Sequence, residues 1–256
     1  MRLESPVKVT VRHAVVGGPR PLVCLPLVAG EQTDLLDQAE DLIRLKPDLL
    51  EWRVDAWNAI EDAAGIQAAL SVLRTAMGEL PLIFTCRIHT EGGFKEIAQQ
   101  VRLDMITAAV SSGQVDIVDV EMCNPPDFLQ AVTTAAHDTG TRLILSRHNF
   151  ESTPDEAVIV DMLSQAQQMG ADIAKIAVMP GNYSDVLTLL NATLKARTGS
   201  VRIPMVAISM GARGRLTRVA GGLFGSDITY AVGRDASAPG QITIHELKQA
   251  MALVYD

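Results

Sequence analysis

The strongest constraint on the fold of this chain is a repeated alternation. A short apolar run, often β-branched, is followed by a polar loop and then a longer stretch with 3.6-residue periodicity. The runs are Leu22–Val28, Leu49–Val54, Leu82–Arg87, Val115–Glu121, Arg142–Arg147, Ile173–Met179, Met205–Ser209 and, more weakly, Ser226–Ala231. Helical periodicity falls near 33–45, 58–78, 95–112, 126–138, 154–169, 184–197, 212–221 and 243–254. Thr33, Asn58 and the segment Ser152 to Asp155 read as helix N-caps, and Gly113 and Gly170 follow helix ends. Eight strand–helix pairs predict a (β/α)8 barrel, the TIM-barrel architecture, as a single domain over residues 1–256. An open doubly wound sheet is the rival, but Val28-Ala29-Gly30-Glu31 after the first run contains no GxGxxG phosphate loop. The stretches VKVTV and HAVVG before Leu22 read as an added strand pair that closes the barrel bottom.

Charge and cysteine content narrow the partners. Asp and Glu outnumber Lys and Arg by 30 to 22, for a net charge of −8. Nucleic acid and anionic membranes both need a basic face, so neither is expected as a partner. A small anionic substrate remains open, because a few local arginines outweigh the global sign. Cys24, Cys86 and Cys123 show no CxxC spacing and sit in or beside apolar runs, as reduced buried thiols do. No metal-ligand spacing such as HExxH is present, and no apolar stretch approaches 18 residues. A cytoplasmic protein that needs no metal or cofactor is the expectation.

The polar residues cluster at the C-terminal ends of the runs, which converge on the active-site face of a barrel. They include Glu51, Arg53, Asp55, Arg87, Glu91, Asp119, Glu121, Ser146, Arg147 and His148. Structural readings stand beside functional ones. Glu51 and Arg53 share a strand face and could form an ion pair, and Asp119 and Glu121 read as supporting groups. His13, His89, His137 and His245 read as solvated. Lys175 is different. It lies inside the apolar run ADIAKIAVMP, where burial disfavours its ammonium. A free lysine with pKa near 10.4 is neutral in roughly one part in two thousand at pH 7. Desolvation and nearby arginines raise that fraction, and a neutral amine attacks a carbonyl to form an imine. The protonated imine acidifies the adjacent C–H, so a base is required. His148 suits that role, with Glu91 to orient its ring. Arg213, Arg215 and Arg218 form a cluster that can clamp a carboxylate, and Ser237 and Gln241 lie on a small-residue loop suited to a lid.

These segments together resemble the type I 3-dehydroquinate dehydratase family almost end to end. The resemblance is carried by LEWRVD (50–55), FTCRIHTEGG (84–93), VDIVDVEM (115–122), SRHNF (146–150), AKIAVMP (174–180), SDVLTLL (184–190), TRVAGGLFGS (217–226) and ASAPGQ (236–241). It implies a cofactor-free barrel, usually a homodimer, performing a reversible syn dehydration of 3-dehydroquinate to 3-dehydroshikimate in the shikimate pathway. By position, Lys175 would form the imine at C3. His148 would take the C2 proton and return it to the leaving C1 hydroxyl, paired with Glu91. Arg218 would hold the C1 carboxylate with Ser237 and Gln241, and Glu51, Arg53 and Arg87 would surround the ring hydroxyls. The chain departs from the family pattern at Pro26, Cys86, Asn149 and Thr217, all read as packing or supporting positions. A carbon–carbon lyase using the same lysine does not explain Arg218 with the ASAPGQ loop. A non-catalytic binding protein does not explain Lys175, His148 and Glu91 together.

Overall fold

In a computed structural model, residues 2–233 and 242–255 are described. A hairpin of β1 (Val9–Val11) and β2 (Ala14–Val16) precedes the barrel. The barrel then runs β3 (Leu22–Leu27), α1 (Gln32–Arg44), β4 (Leu49–Arg53), α2 (Ala63–Met77), β5 (Leu82–Thr85), α3 (Gln99–Ser111), β6 (Ile117–Glu121) and α4 (Pro126–Thr139). It continues with β7 (Arg142–Asn149), α5 (Glu156–Gln168), β8 (Ile173–Val178), α6 (Tyr183–Thr198), β9 (Met205–Ser209), α7 (Arg215–Ala220), β10 (Ile228–Tyr230) and α8 (Ile244–Tyr255). The eight strands β3 to β10 pair in parallel, with β10 beside β3. A parallel bridge from Met205 to Ser226 brings β9 next to the segment entering β10, so the barrel is nearly closed.

Period-two alternation divides each strand between two cores. Outward residues such as Leu50, Trp52, Phe84, Val118, Val120, Leu145 and Ile176 pack against the helices. Inward residues form a second cluster: Leu22, Cys24, Leu49, Ile83, Ile117, Ile144, Ile173, Val206 and Ile228. Val9, Val11, Ala14 and Val16 of the hairpin belong to that inner cluster, so the hairpin closes the bottom as expected. Farther along the same strands the inward positions turn polar: Glu51, Thr85, Asp119, Glu121, Ser146, His148 and Lys175. An apolar floor thus supports a polar upper layer.

Some local readings are corrected. The α1 N-cap is Glu31, not Thr33, and neither residue caps the helix through its side chain. α2 starts at Ala63, where Asp62 accepts from the Gly65 amide; Asn58 lies in the preceding turn and caps nothing. Cys24 and Cys86 are buried, but Cys123 is exposed at the loop after β6.

Candidate active site

Lys175 enters the barrel from β8 with only 5% of its surface exposed. Its Nζ is 2.6 Å from Asp119 Oδ2, 3.1 Å from Tyr230 Oη and 3.5 Å from Glu51 Oε1. Nζ also stands 4.8 Å from the Tyr230 ring centroid, within cation–π range. The nearest partners of the amine are therefore acceptors, not the guanidinium groups expected from the sequence. Asp119 contacts the amine directly, so the residue it supports is Lys175 itself. Burial alone would raise the Asp119 carboxyl, but Arg87 and Lys175 beside it hold it well below the ordinary carboxylate range.

His148 is the penultimate residue of β7, and its alignment comes from Glu91. The Glu91 carboxylate accepts from the His148 backbone amide at 2.7 Å and faces its Nδ1 at 3.2 Å. Arg147 Nη1 lies 2.9 Å from the other Glu91 oxygen. With Nδ1–H donated to the carboxylate, Nε2 keeps its lone pair. Burial, reinforced by Arg87 and Lys175, pushes the imidazole well below its ordinary range, so it is a neutral base at pH 7. Glu91 sits in a short helical turn, His89–Glu91, capped by Gly92 at φ 89°. The Phe150 ring lies where a side chain on Gly92 would project, so that turn requires glycine.

The remaining polar residues take different roles. Arg53 pairs with Asp55 at 2.9 and 2.8 Å and not with Glu51, which instead accepts from Thr85 Oγ1 at 2.8 Å. Arg87 is buried and committed to carboxylates, with Asp119 at 2.9 Å and Glu121 at 2.7 Å. Arg102, unremarked in the sequence, pairs with the far side of Glu121 at 2.7 Å. Arg213 and Arg215 are exposed, so the three-arginine clamp reduces to Arg218. Arg218 Nη1 donates to the Tyr230 carbonyl at 2.9 Å, while its buried Nε has no partner among the described residues. Thr217 Oγ1 accepts from the Ser209 amide and ties the start of α7 to the end of β9.

One cavity of about 300 Å³ gathers Glu51, Arg53, Arg87, Glu91, His148, Lys175 and Arg218. Pro26, Phe150 and Tyr230 line it too. Pro26 is thus a wall of the site, not packing alone, and Tyr230 was missed entirely. The only sequence signal for Tyr230 is its place at the end of the weakest strand. Ser237 and Gln241 lie outside the described residues. Among the described residues, no group of three His, Cys, Asp or Glu is arranged to hold a metal ion.

Comparison with known proteins decides the family: residues 23–256 match the model for type I 3-dehydroquinase. The chain belongs to the type I 3-dehydroquinase family. A 3-dehydroquinate dehydratase from Geobacillus thermodenitrificans is 40% identical over 96% of this chain and 95% of its own. One from Aromatoleum aromaticum is 41% identical over 94% and 92%. The crystal structure of the Geobacillus kaustophilus 3-dehydroquinate dehydratase superposes with a TM-score of 0.95 at 39% identity, covering 99% and 98% of the two chains. The type I enzyme of Clostridium difficile, crystallised with covalently modified comenic acid, gives a TM-score of 0.95 at 34% identity, covering 100% and 99%. As a type I 3-dehydroquinase the chain is a hydro-lyase, a 3-dehydroquinate dehydratase of the shikimate pathway.

Proposed function

We propose that Lys175, His148, Glu91 and Arg218 carry out this dehydration through an imine on Lys175. The observation that carries the reading is a buried amine sharing one cavity with a neutral, carboxylate-aligned imidazole. Nζ adds to the C3 carbonyl of 3-dehydroquinate, and the oxygen leaves as water. The resulting cation draws electrons from the C2–H bond, and His148 Nε2 takes that proton. The pair left at C2 then expels the C1 hydroxyl, which receives a proton from the same imidazole. One group serving both positions makes the elimination syn. Hydrolysis of the imine releases 3-dehydroshikimate and restores the amine. Glu91 keeps Nδ1 protonated and stabilises the imidazolium that forms between the two transfers. Arg218, whose Nε–H has no partner among the described residues, holds the C1 carboxylate, joined by Ser237 and Gln241. Glu51 and Arg53 contact ring hydroxyls, while Arg87 acts on the substrate through Asp119 and Glu121. The covalent modification in the Clostridium difficile relative is consistent with covalent chemistry in this barrel.

Borohydride added with 3-dehydroquinate should leave a reduced adduct on Lys175, located by peptide mass spectrometry. Turnover without an adduct on any lysine would sink the imine. The protein is proposed to act in the cytoplasm as a homodimer; no described helix is long and apolar enough to cross a membrane. A monomer mass by sedimentation would overturn the dimer.

A further inference from the structure

Tyr230 ends β10 opposite Cys24 of β3, two residues after the inward-facing Ile228. Its hydroxyl lies 3.1 Å from Lys175 Nζ, and its carbonyl accepts from Arg218. One residue therefore touches both the amine that would become the imine and the arginine that would bind the carboxylate.

Imine formation has a strict proton balance. The ammonium form of Lys175 carries three N–H bonds, and a protonated imine carries one. The carbonyl oxygen must gain two protons to leave as water. Two protons thus travel from nitrogen to oxygen, while the nitrogen lone pair becomes the C=N bond and the C–O pair departs with the water. A group beside the nitrogen that accepts and donates at once is suited to that transfer. Of the three partners of Nζ among the described residues, Asp119 and Glu51 are carboxylates, which donate nothing while ionised. Asp119 is a poor proton carrier because Arg87 and Lys175 favour its charged form. Glu51 is farther, at 3.5 Å, and already receives the Thr85 hydroxyl. Tyr230 is a hydroxyl, both donor and acceptor.

Building on the imine reading, we propose that Tyr230 is a catalytic residue whose hydroxyl relays protons between Lys175 Nζ and the departing carbonyl oxygen. As Oη takes a proton from nitrogen, it passes its own to oxygen, and the phenol is neutral before and after. No phenolate intervenes, in keeping with a buried phenol held well above its ordinary pKa by burial and the adjacent Glu51. Imine hydrolysis runs the relay backwards. His148 is then left to the C2 proton and the C1 hydroxyl.

Tyr230→Phe keeps the ring beside the ammonium and removes only the hydroxyl. Rapid mixing with 3-dehydroquinate and a borohydride quench follows adduct growth on Lys175. In the variant, adduct growth should slow by about a hundredfold or more, the range expected for a lost proton transfer. With C2-deuterated substrate, the primary isotope effect on turnover should shrink towards unity, because imine formation becomes slower than C2–H cleavage. A residue that merely packs against the lysine would not shift the limiting step in this way. Equal adduct growth in both proteins, or an unchanged isotope effect, overturns the relay and leaves the imine standing. No adduct in the unaltered protein overturns the imine and the relay together.

Discussion

At the residue scale, the amine is handled by its acceptors. Asp119 Oδ2 stands 2.6 Å from Nζ, while Oδ1 receives Ser146 Oγ at 2.6 Å and Arg87 Nη2 at 2.9 Å. One fully buried carboxylate therefore fixes the direction of Nζ and neutralises a guanidinium below it. Asp119→Asn preserves the shape and removes the charge. Arg87 would keep Glu121 but lose half of its compensation, and Nζ would lose its shortest contact. Removing one partner of a buried ion pair costs about 3 kcal/mol or more. The variant should unfold at lower urea and form the borohydride adduct more slowly. A normal rate of adduct formation with reduced stability would show that Asp119 serves Arg87 alone.

At the scale of elements, the sequence showed what depends on periodicity and concealed what depends on closure. Strands buried on both faces read as apolar runs, and the points where they turn polar marked Glu51, Asp119, His148 and Lys175. Those signals are local. The contact between Lys175 and Asp119 joins β8 to β6 across the intervening β7, and only barrel geometry creates it. Arg53 illustrates the same limit. Spacing puts it on the face of Glu51, but the chain turns after β4 into a short helix, Val54–Ala56, and brings Asp55 to the guanidinium instead. Asn58 looked like a cap because asparagine favours that position in general, yet Asp62 four residues later supplies the side-chain acceptor. Tyr230 escaped notice because β10 spans only Ile228–Tyr230, too short to display alternation. Its inward orientation follows from pairing with β3, which a single chain's pattern does not reveal.

At the scale of the whole molecule, a net charge of −8 surrounds an interior that is balanced more than cationic. Arg53 and Arg87 are matched by Asp55, Asp119 and Glu121, leaving Arg218 as the cavity arginine without a carboxylate partner among the described residues. On the proposed reading, an anionic substrate is drawn to that one point, not to a diffuse basic pocket. The balanced interior also links folding to pH. His148 is folded in its neutral form, held well below the ordinary range of a histidine by burial. An unfolded chain takes up a proton on that ring as pH falls through about 6.5, while the folded chain does not. Protons bound by the unfolded state pull the equilibrium towards it, so stability should fall as pH drops below about 6.5. The slope from one such group is about 1.4 kcal/mol per pH unit at most. Glu91, whose pKa is raised above 4.5 by burial, acts in the opposite sense and blunts the loss nearer its own titration. The carboxylate Asp119, depressed in the fold, loses its contribution only below its unfolded value near 3.8. Urea unfolding at pH 7.5 and 5.5 isolates the histidine. The unaltered protein should lose stability on acidification, and His148→Asn should lose distinctly less. Identical pH dependence in the two proteins would mean that a group other than His148 governs this window.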